Sequence, residues 1–179
     1  MKKSIILLTS AVIAAQKLSA QNAAPAVVAD TAVYQNSWYF EFAGASLTGA
    51  TFNYERFLSK TPGGFSIHGG IGGGIIPHIF DNGADFFGAV TGGVSYNIPV
   101  TTDKRGMIEL GGIYTYYSGE VLAQFGDNST VSTGIPAGLV SWRHLSASGK
   151  TQIRITGLAL IGPNGQALPW VGFSVGRRF

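Results

Sequence analysis

The chain of 179 residues carries 12 Lys and Arg against 9 Asp and Glu, 26 glycines, 12% aromatic residues and no cysteine. Without cysteine there is neither a disulfide framework nor a lipidated cysteine anchor, and no apolar run reaches about 18 residues, the least a membrane-spanning helix needs. Lys2, Lys3 and Lys17 fall within the first 20 residues, so the remainder is formally neutral, with 9 basic against 9 acidic residues, which discounts a nucleic-acid partner.

Lys2 and Lys3 precede an apolar run from Ile5 to Ala15, and Leu18-Ser19-Ala20 stands before Gln21. This charged, apolar, small-residue order predicts a secretory signal over residues 1–20, cut after Ala20. The apolar run of about 11 residues falls short of the roughly 20 that a retained helical anchor requires. Residues 21–35 are Ala-rich and aperiodic, which predicts a flexible periplasmic lead-in; residues 36–179 are expected to form one folded domain.

From Ser37 onward, eight segments alternate in polarity with the period of two that an extended strand imposes. The first, about Ser37–Ser46, sets Trp38, Phe40 and Phe42 against Tyr39, Glu41 and Ala43. The second, Ala50–Leu58, sets Phe52 and Tyr54 against Asn53 and Glu55. In the third, Gly64–Ile76, Phe65, Ile67, Ile71 and Ile75 alternate with Ser66, His68 and glycines; in the fourth, Phe86–Ile98, Val90, Val94 and Tyr96 oppose Thr91, Ser95 and Asn97. The fifth, Met107–Tyr117, opposes Ile108, Leu110, Tyr114 and Tyr116 to Glu109, Thr115 and Tyr117. In the sixth, Gly134–His144, the apolar parity switches from Ile135 and Leu139 to Val140 and Trp142, as a β-bulge would produce. The seventh, Lys150–Ile161, sets Ile153, Ile155, Ala159 and Ile161 against Gln152, Arg154 and Thr156. The eighth, Leu168–Phe179, sets Val171, Phe173, Val175 and Phe179 against Gly172, Ser174, Gly176 and Arg178.

Eight alternating segments of about ten residues match tilted strands crossing a bilayer, and predict an all-β fold, an eight-stranded antiparallel up-and-down transmembrane β-barrel. An even strand count brings both ends to one side. The connections at 59–63, 99–106 and 145–150 are then periplasmic turns, and those at 44–49, 77–85, 118–133 and 162–168 face outward, the longest among them as barrels of this kind require. Closure leaves no free edge, so a monomer is expected.

The pieces Asn36-Ser37-Trp38-Tyr39, Phe52-Asn53-Tyr54-Glu55-Arg56-Phe57 and Pro169-Trp170-Val171-Gly172-Phe173-Ser174-Val175-Gly176-Arg177-Arg178-Phe179 resemble those of a family of small, largely uncharacterised outer-membrane barrels of Bacteroidetes-type bacteria. The broader analogy is to OmpA/OmpX-type and OmpW-type eight-stranded barrels. The resemblance implies outer-membrane localisation, contact with outer-membrane lipid, and a closing strand whose Phe173 and Phe179 are read by the barrel-assembly machinery. It brings no catalytic residues.

Parity places Glu41, Glu55, Glu109, Arg154, Arg178 and His68, with Arg143, on the inner face. An eight-stranded bore is only wide enough for side chains to fill, and buried charges persist when paired. These residues are therefore expected to form an ion-pair core that plugs the lumen. His68 and His78 have no carboxylate arranged around them, so no metal site is expected; the glycines of residues 69–74 lack a following Gly-Lys-Ser/Thr, so no nucleotide or other cofactor is expected. Arg143-His144-Leu145-Ser146 is similar to the His-x-Ser element of outer-membrane lipid A deacylases. It makes His144 and Ser146 the candidate catalytic pair, but no Asp or Glu follows Asp127 to orient the histidine. Trp38, Tyr39, Trp142, Trp170 and the Tyr114–Tyr117 cluster suit interfacial aromatic girdles. The expected function is a non-enzymatic outer-membrane barrel, structural or binding through 77–85 and 118–133; the alternatives are a lipid-modifying enzyme using His144 and Ser146, and small-solute transport.

Overall fold

A computed structural model describes residues 34–60, 63–77, 84–118, 133–162 and 165–179. The expected signal and most of the lead-in lie outside these residues, as do His78 and most of the 77–85 and 118–133 connections.

The alternating segments become eight strands: β1 (Asn36–Ala43), β2 (Ala50–Phe57), β3 (Gly64–Pro77), β4 (Ala84–Pro99), β5 (Gly106–Ser118), β6 (Thr133–Leu145), β7 (Thr151–Ile161) and β8 (Ala167–Arg178). Each pairs antiparallel with the next, and β8 returns to β1, so the sheet closes as an up-and-down barrel. Asn36 and Arg178 share one end, the lower end below. Cross-strand partners followed from Ser37 through Glu55, His68, Gly93, Ile113, Ala137 and Leu160 arrive at Leu168 of β8, whereas Ser37 itself lies opposite Arg178. The ten positions between Leu168 and Arg178 are the stagger of the closed sheet. Such stagger tilts the strands and leaves a bore that side chains fill.

Alternation holds around the barrel. Phe40, Phe52, Ile71, Val90, Val140 and Phe173 are exposed on the outside while Glu55, Ser95, Asn97, Glu109 and Arg143 are buried inside. The aromatic side chains of β1 and β2 form a continuous outer patch, with the Phe40 and Phe52 ring centroids 5.1 Å apart and Trp38 6.3 Å from Phe52.

The switch of parity expected in the sixth segment needs no bulge. Partners between β5 and β6 run one to one from Gly106 and His144 to Tyr117 and Thr133, and Ile135, Ala137, Leu139, Ser141, Arg143 and Leu145 are all buried. Apolar residues occupy both faces in the upper half of β6 because the lumen there is itself apolar. Leu47, Phe87, Tyr117, Ile135, Leu158 and Leu160 form one buried cluster.

The 44–49 connection, expected at the end of the barrel opposite the termini, lies there and turns into the bore. A 3-10 turn at Gly44–Ser46 is buried together with Leu47, and the Tyr117 hydroxyl donates to the Ala45 carbonyl at 2.6 Å. Close approach makes this possible: a Cβ on Gly172 of β8 would stand 2.5 Å from the Gly44 Cα. Three of the expected girdle aromatics also turn inward. Tyr39 and Tyr117 are buried in the lumen, and Trp170 packs against the apolar cluster.

Candidate functional site: the barrel lumen

Below the apolar cluster, four strands contribute one charged side chain each. Arg143 of β6 spans the bore with Nη2, reaching Glu55 Oε1 of β2 at 2.8 Å and Glu109 Oε2 of β5 at 2.9 Å. Arg154 of β7 reaches Glu55 Oε2 at 3.1 Å and Glu109 Oε2 at 3.4 Å. Two carboxylates and two guanidiniums thus alternate in a closed, charge-neutral ring. The side chains of Glu55, Glu109 and Arg143 are 0% exposed and that of Arg154 is 4% exposed. Desolvated charges at this depth are stable only when their remaining hydrogen-bonding capacity is also met. Ser37 donates to Glu55 Oε2 at 3.2 Å, Ser95 donates to Glu109 Oε1 at 2.6 Å, and Arg143 Nη1 donates to Gln152 Oε1 at 3.3 Å.

The flat faces of the guanidiniums rest on aromatic rings. Arg154 lies 4.3 Å over Tyr39, while Arg143 and Arg178 lie 5.0 and 4.9 Å from the Phe57 centroid. Tyr39 and Phe57 were missed as site residues. Their inward parity beside inward arginines is the signal that points to them, since cation–π contact needs only a ring face within about 6 Å.

Two members of the expected core stand apart from the ring. Arg178 donates to the Tyr34 carbonyl at 2.6 Å and forms no ion pair among the described residues. Glu41 sits higher and accepts from the Ala45 amide at 3.3 Å and the Thr51 hydroxyl at 3.5 Å, fastening the inward turn. His68 is buried on β3 opposite Glu55 in register, and its imidazole occupies the space over Gly93, where a Cβ would stand 2.6 Å from Nε2. Among the described residues no group of three potential metal ligands occurs.

His144 and Ser146 are not brought together as a catalytic pair. The His144 imidazole stacks on Trp142 with centroids 5.6 Å apart. Ser146 serves the β6–β7 turn: its hydroxyl accepts from the Thr151 amide at 3.1 Å and shares a hydrogen bond with Ser148 at 3.2 Å. A nucleophile needs its base within hydrogen-bonding reach and an acid to orient that base. Here the hydroxyl is committed to the turn and the imidazole to a ring.

Chemically, the ring engages the terminal guanidinium nitrogens of Arg143 and Arg154, while the Nε atoms of both arginines and His68 Nδ1 have no hydrogen-bond partner among the described residues. The ring carboxylates already accept from two arginines each, which leaves neither as a spare base, and the network clamps β2, β5, β6 and β7 across the bore.

No protein-family model matches the chain, and no curated protein matches it. Among solved structures the chain is similar to the outer membrane protein Ail of Yersinia pestis, whose backbone structure was solved in a phospholipid bilayer nanodisc. The TM-score is 0.46 and the sequence identity 11%, over 80% of this chain and 97% of that one.

Proposed function

We propose that this protein is a small outer-membrane β-barrel of the kind found in Bacteroidetes-type bacteria, exported by residues 1–20 and monomeric. It is a structural or surface-binding element, with any ligand taken up through 77–85 and 118–133. One observation carries the reading: large apolar side chains from all eight strands stand exposed on the outer face of a closed sheet, while four charges are paired in a neutral ring inside, an arrangement opposite to that of a soluble protein. An apolar exterior on a closed sheet suits lipid, because every strand's backbone is paired and no edge meets the hydrocarbon. A filled bore fits neither free diffusion nor a substrate channel. Phe173 and Phe179 lie outward on the closing strand, and the Phe179 amide donates to the Asn36 carbonyl at 2.8 Å, which supports handling of this strand by the assembly machinery.

Membrane fractionation with a carbonate wash, run beside heat-modifiable gel mobility, tests the proposal. Retention in the outer-membrane pellet with a faster unheated band is the expected result. Release by carbonate with mobility unchanged on heating would sink it.

A further inference from the structure

The described residues are sharply sorted by charge between the two ends of the barrel. Outside the lumen, every basic side chain lies at the lower end: Arg56 near the end of β2, Lys60 after it, Lys104 and Arg105 in the β4–β5 turn, Lys150 before β7 and Arg177 near the end of β8. Asp103 is the acidic side chain there, and it is occupied by Arg105 and by the Thr101 hydroxyl at 2.6 Å. At the other end no described residue outside the lumen is Lys or Arg, and the sequence joining β3 to β4, β5 to β6 and β7 to β8 contains none. Interior charge cancels, Glu41, Glu55 and Glu109 against Arg143, Arg154 and Arg178, so the asymmetry is a property of the rims.

Two of the lower cations are not on turns. Arg56 lies opposite Asn36, and Arg177 lies opposite Trp38, on the two strands that flank β1. Their Cα atoms are therefore two inter-strand spacings apart across the sheet and offset by two residues along it, roughly 12 Å in all. Both are exposed, both point out from the barrel wall, and neither forms a hydrogen bond or ion pair through its side chain among the described residues. Between them runs β1 with Trp38, and beside Arg56 on β2 stands Tyr54, whose hydroxyl donates to Asn36 Oδ1 at 2.7 Å. Amphipathic rings at this level mark the depth of lipid headgroups.

We propose that the lower rim is a binding surface for anionic phospholipid headgroups, centred on Arg56 and Arg177 astride Trp38. The inference rests on the membrane-barrel reading above. Guanidinium groups pair with phosphate oxygens through two parallel N–H donors, and two of them on one strand's flanks match a phosphodiester lying against the barrel wall. Lys60, Lys104 and Lys150, beyond the strand ends, add attraction to the same anionic surface. The outward direction of Arg56 and Arg177 selects a lipid over a soluble polyanion. A polymer in the aqueous space would be met by the turn lysines, whereas these two guanidiniums face the surrounding bilayer.

Tryptophan quenching by brominated lipids tests this locally. The full chain carrying Trp142→Phe, which leaves Trp38 as the outward-facing tryptophan, is reconstituted in phosphatidylcholine vesicles containing brominated phosphatidylglycerol or brominated phosphatidylcholine. The expected result is a preference for the anionic lipid of roughly fivefold, the size expected for one cation near a charged surface, rising towards about thirtyfold where both guanidiniums act, and falling towards unity as salt rises. Arg56→Gln with Arg177→Gln should remove most of it, leaving what the turn lysines supply, with heat-modifiable mobility showing the barrel still folded. If the double variant does not fold, the lipid preference and its salt dependence in the parent chain decide the matter. Equal quenching by the two lipids overturns the headgroup inference and leaves the membrane barrel standing; no quenching by either overturns both. Loss of preference on adding inorganic phosphate, beyond that caused by chloride at equal ionic strength, assigns the site to free phosphate and overturns the lipid assignment.

Discussion

Replacing Arg154 by alanine tests the ring most directly at the level of energy. The guanidinium contacts Glu55 at 3.1 Å, Glu109 at 3.4 Å and the Tyr39 ring at 4.3 Å. Its removal leaves two fully buried carboxylates sharing Arg143, so one negative charge has no counterpart in the bore. Breaking a buried pair in this way typically costs about 3–5 kcal/mol, and the lost ring contact adds about 0.5–1 kcal/mol. Adding Glu109→Gln removes the surplus charge while retaining the Glu55–Arg143 pair at 2.8 Å. The double variant should therefore regain part of the loss, with a coupling energy of at least about 1 kcal/mol. Arg178→Ala is the internal comparison: it removes a hydrogen bond to a backbone carbonyl and a ring contact, and should cost about 2 kcal/mol. Urea titration of barrels folded into lipid vesicles, followed by tryptophan emission and by heat-modifiable mobility, measures all three. Additive losses for Arg154→Ala and Glu109→Gln, or a loss for Arg178→Ala as large as for Arg154→Ala, would refute the assignment of charges to the ring.

Gly172→Val introduces a side chain where the Gly44 backbone passes, so it should lower the barrel's stability by about 1–3 kcal/mol. Gly138→Ala, where a Cβ meets nothing within 4 Å, should stay within about 0.5 kcal/mol of the parent in the same titration. Deleting Phe179 removes the pair of backbone hydrogen bonds with Asn36, 2.8 and 3.2 Å, at the β1–β8 seam. Outer-membrane levels should fall on fractionation, and undiminished levels would count against a role in assembly. In the β4–β5 turn, the Thr101 hydroxyl and then Arg105 hold the Asp103 carboxyl down at about 2 from an ordinary 3.8. Because the folded value lies below the unfolded one, its contribution to stability is complete above about pH 4 and is lost as the pH falls towards 2. An NMR titration of Asp103 with a midpoint near 3.8 would show that the turn is not formed as described.

The fold was legible because a strand has a period of two and a barrel has two dissimilar faces. Strand number, direction and the facing of Glu55, Glu109, Arg143 and Arg154 all follow from that pattern. Which charges meet across the bore did not follow. Glu55 and Arg143 are 88 residues apart, and their height in the bore depends on a stagger accumulated over successive pairings, which alternation within a strand does not encode. Parity alone groups Glu41 with the arginines, but its height places it under the inward turn. That turn consists of small residues plus Leu47, which resemble any tight corner in sequence. The apolar upper lumen has a visible trace: β6 and β7 carry apolar residues on both faces in their upper halves, with Leu139 and Val140 adjacent in one and Leu158, Ala159 and Leu160 in the other. Two-sided apolar strands mean burial on both sides; in the sixth segment the same pattern imitates the parity switch of a bulge.

The lumen is closed: the inward turn and the apolar side chains packed around Leu47 fill its upper half, and a neutral ion-pair ring crosses below. Single-channel recording of the parent protein in a planar bilayer measures this directly. Inserted protein, verified by heat-modifiable mobility after recovery from the same vesicles, should give no steady openings across the physiological voltage range. A stable, reproducible conductance from the parent chain would contradict the filled bore and with it the structural reading of the ring.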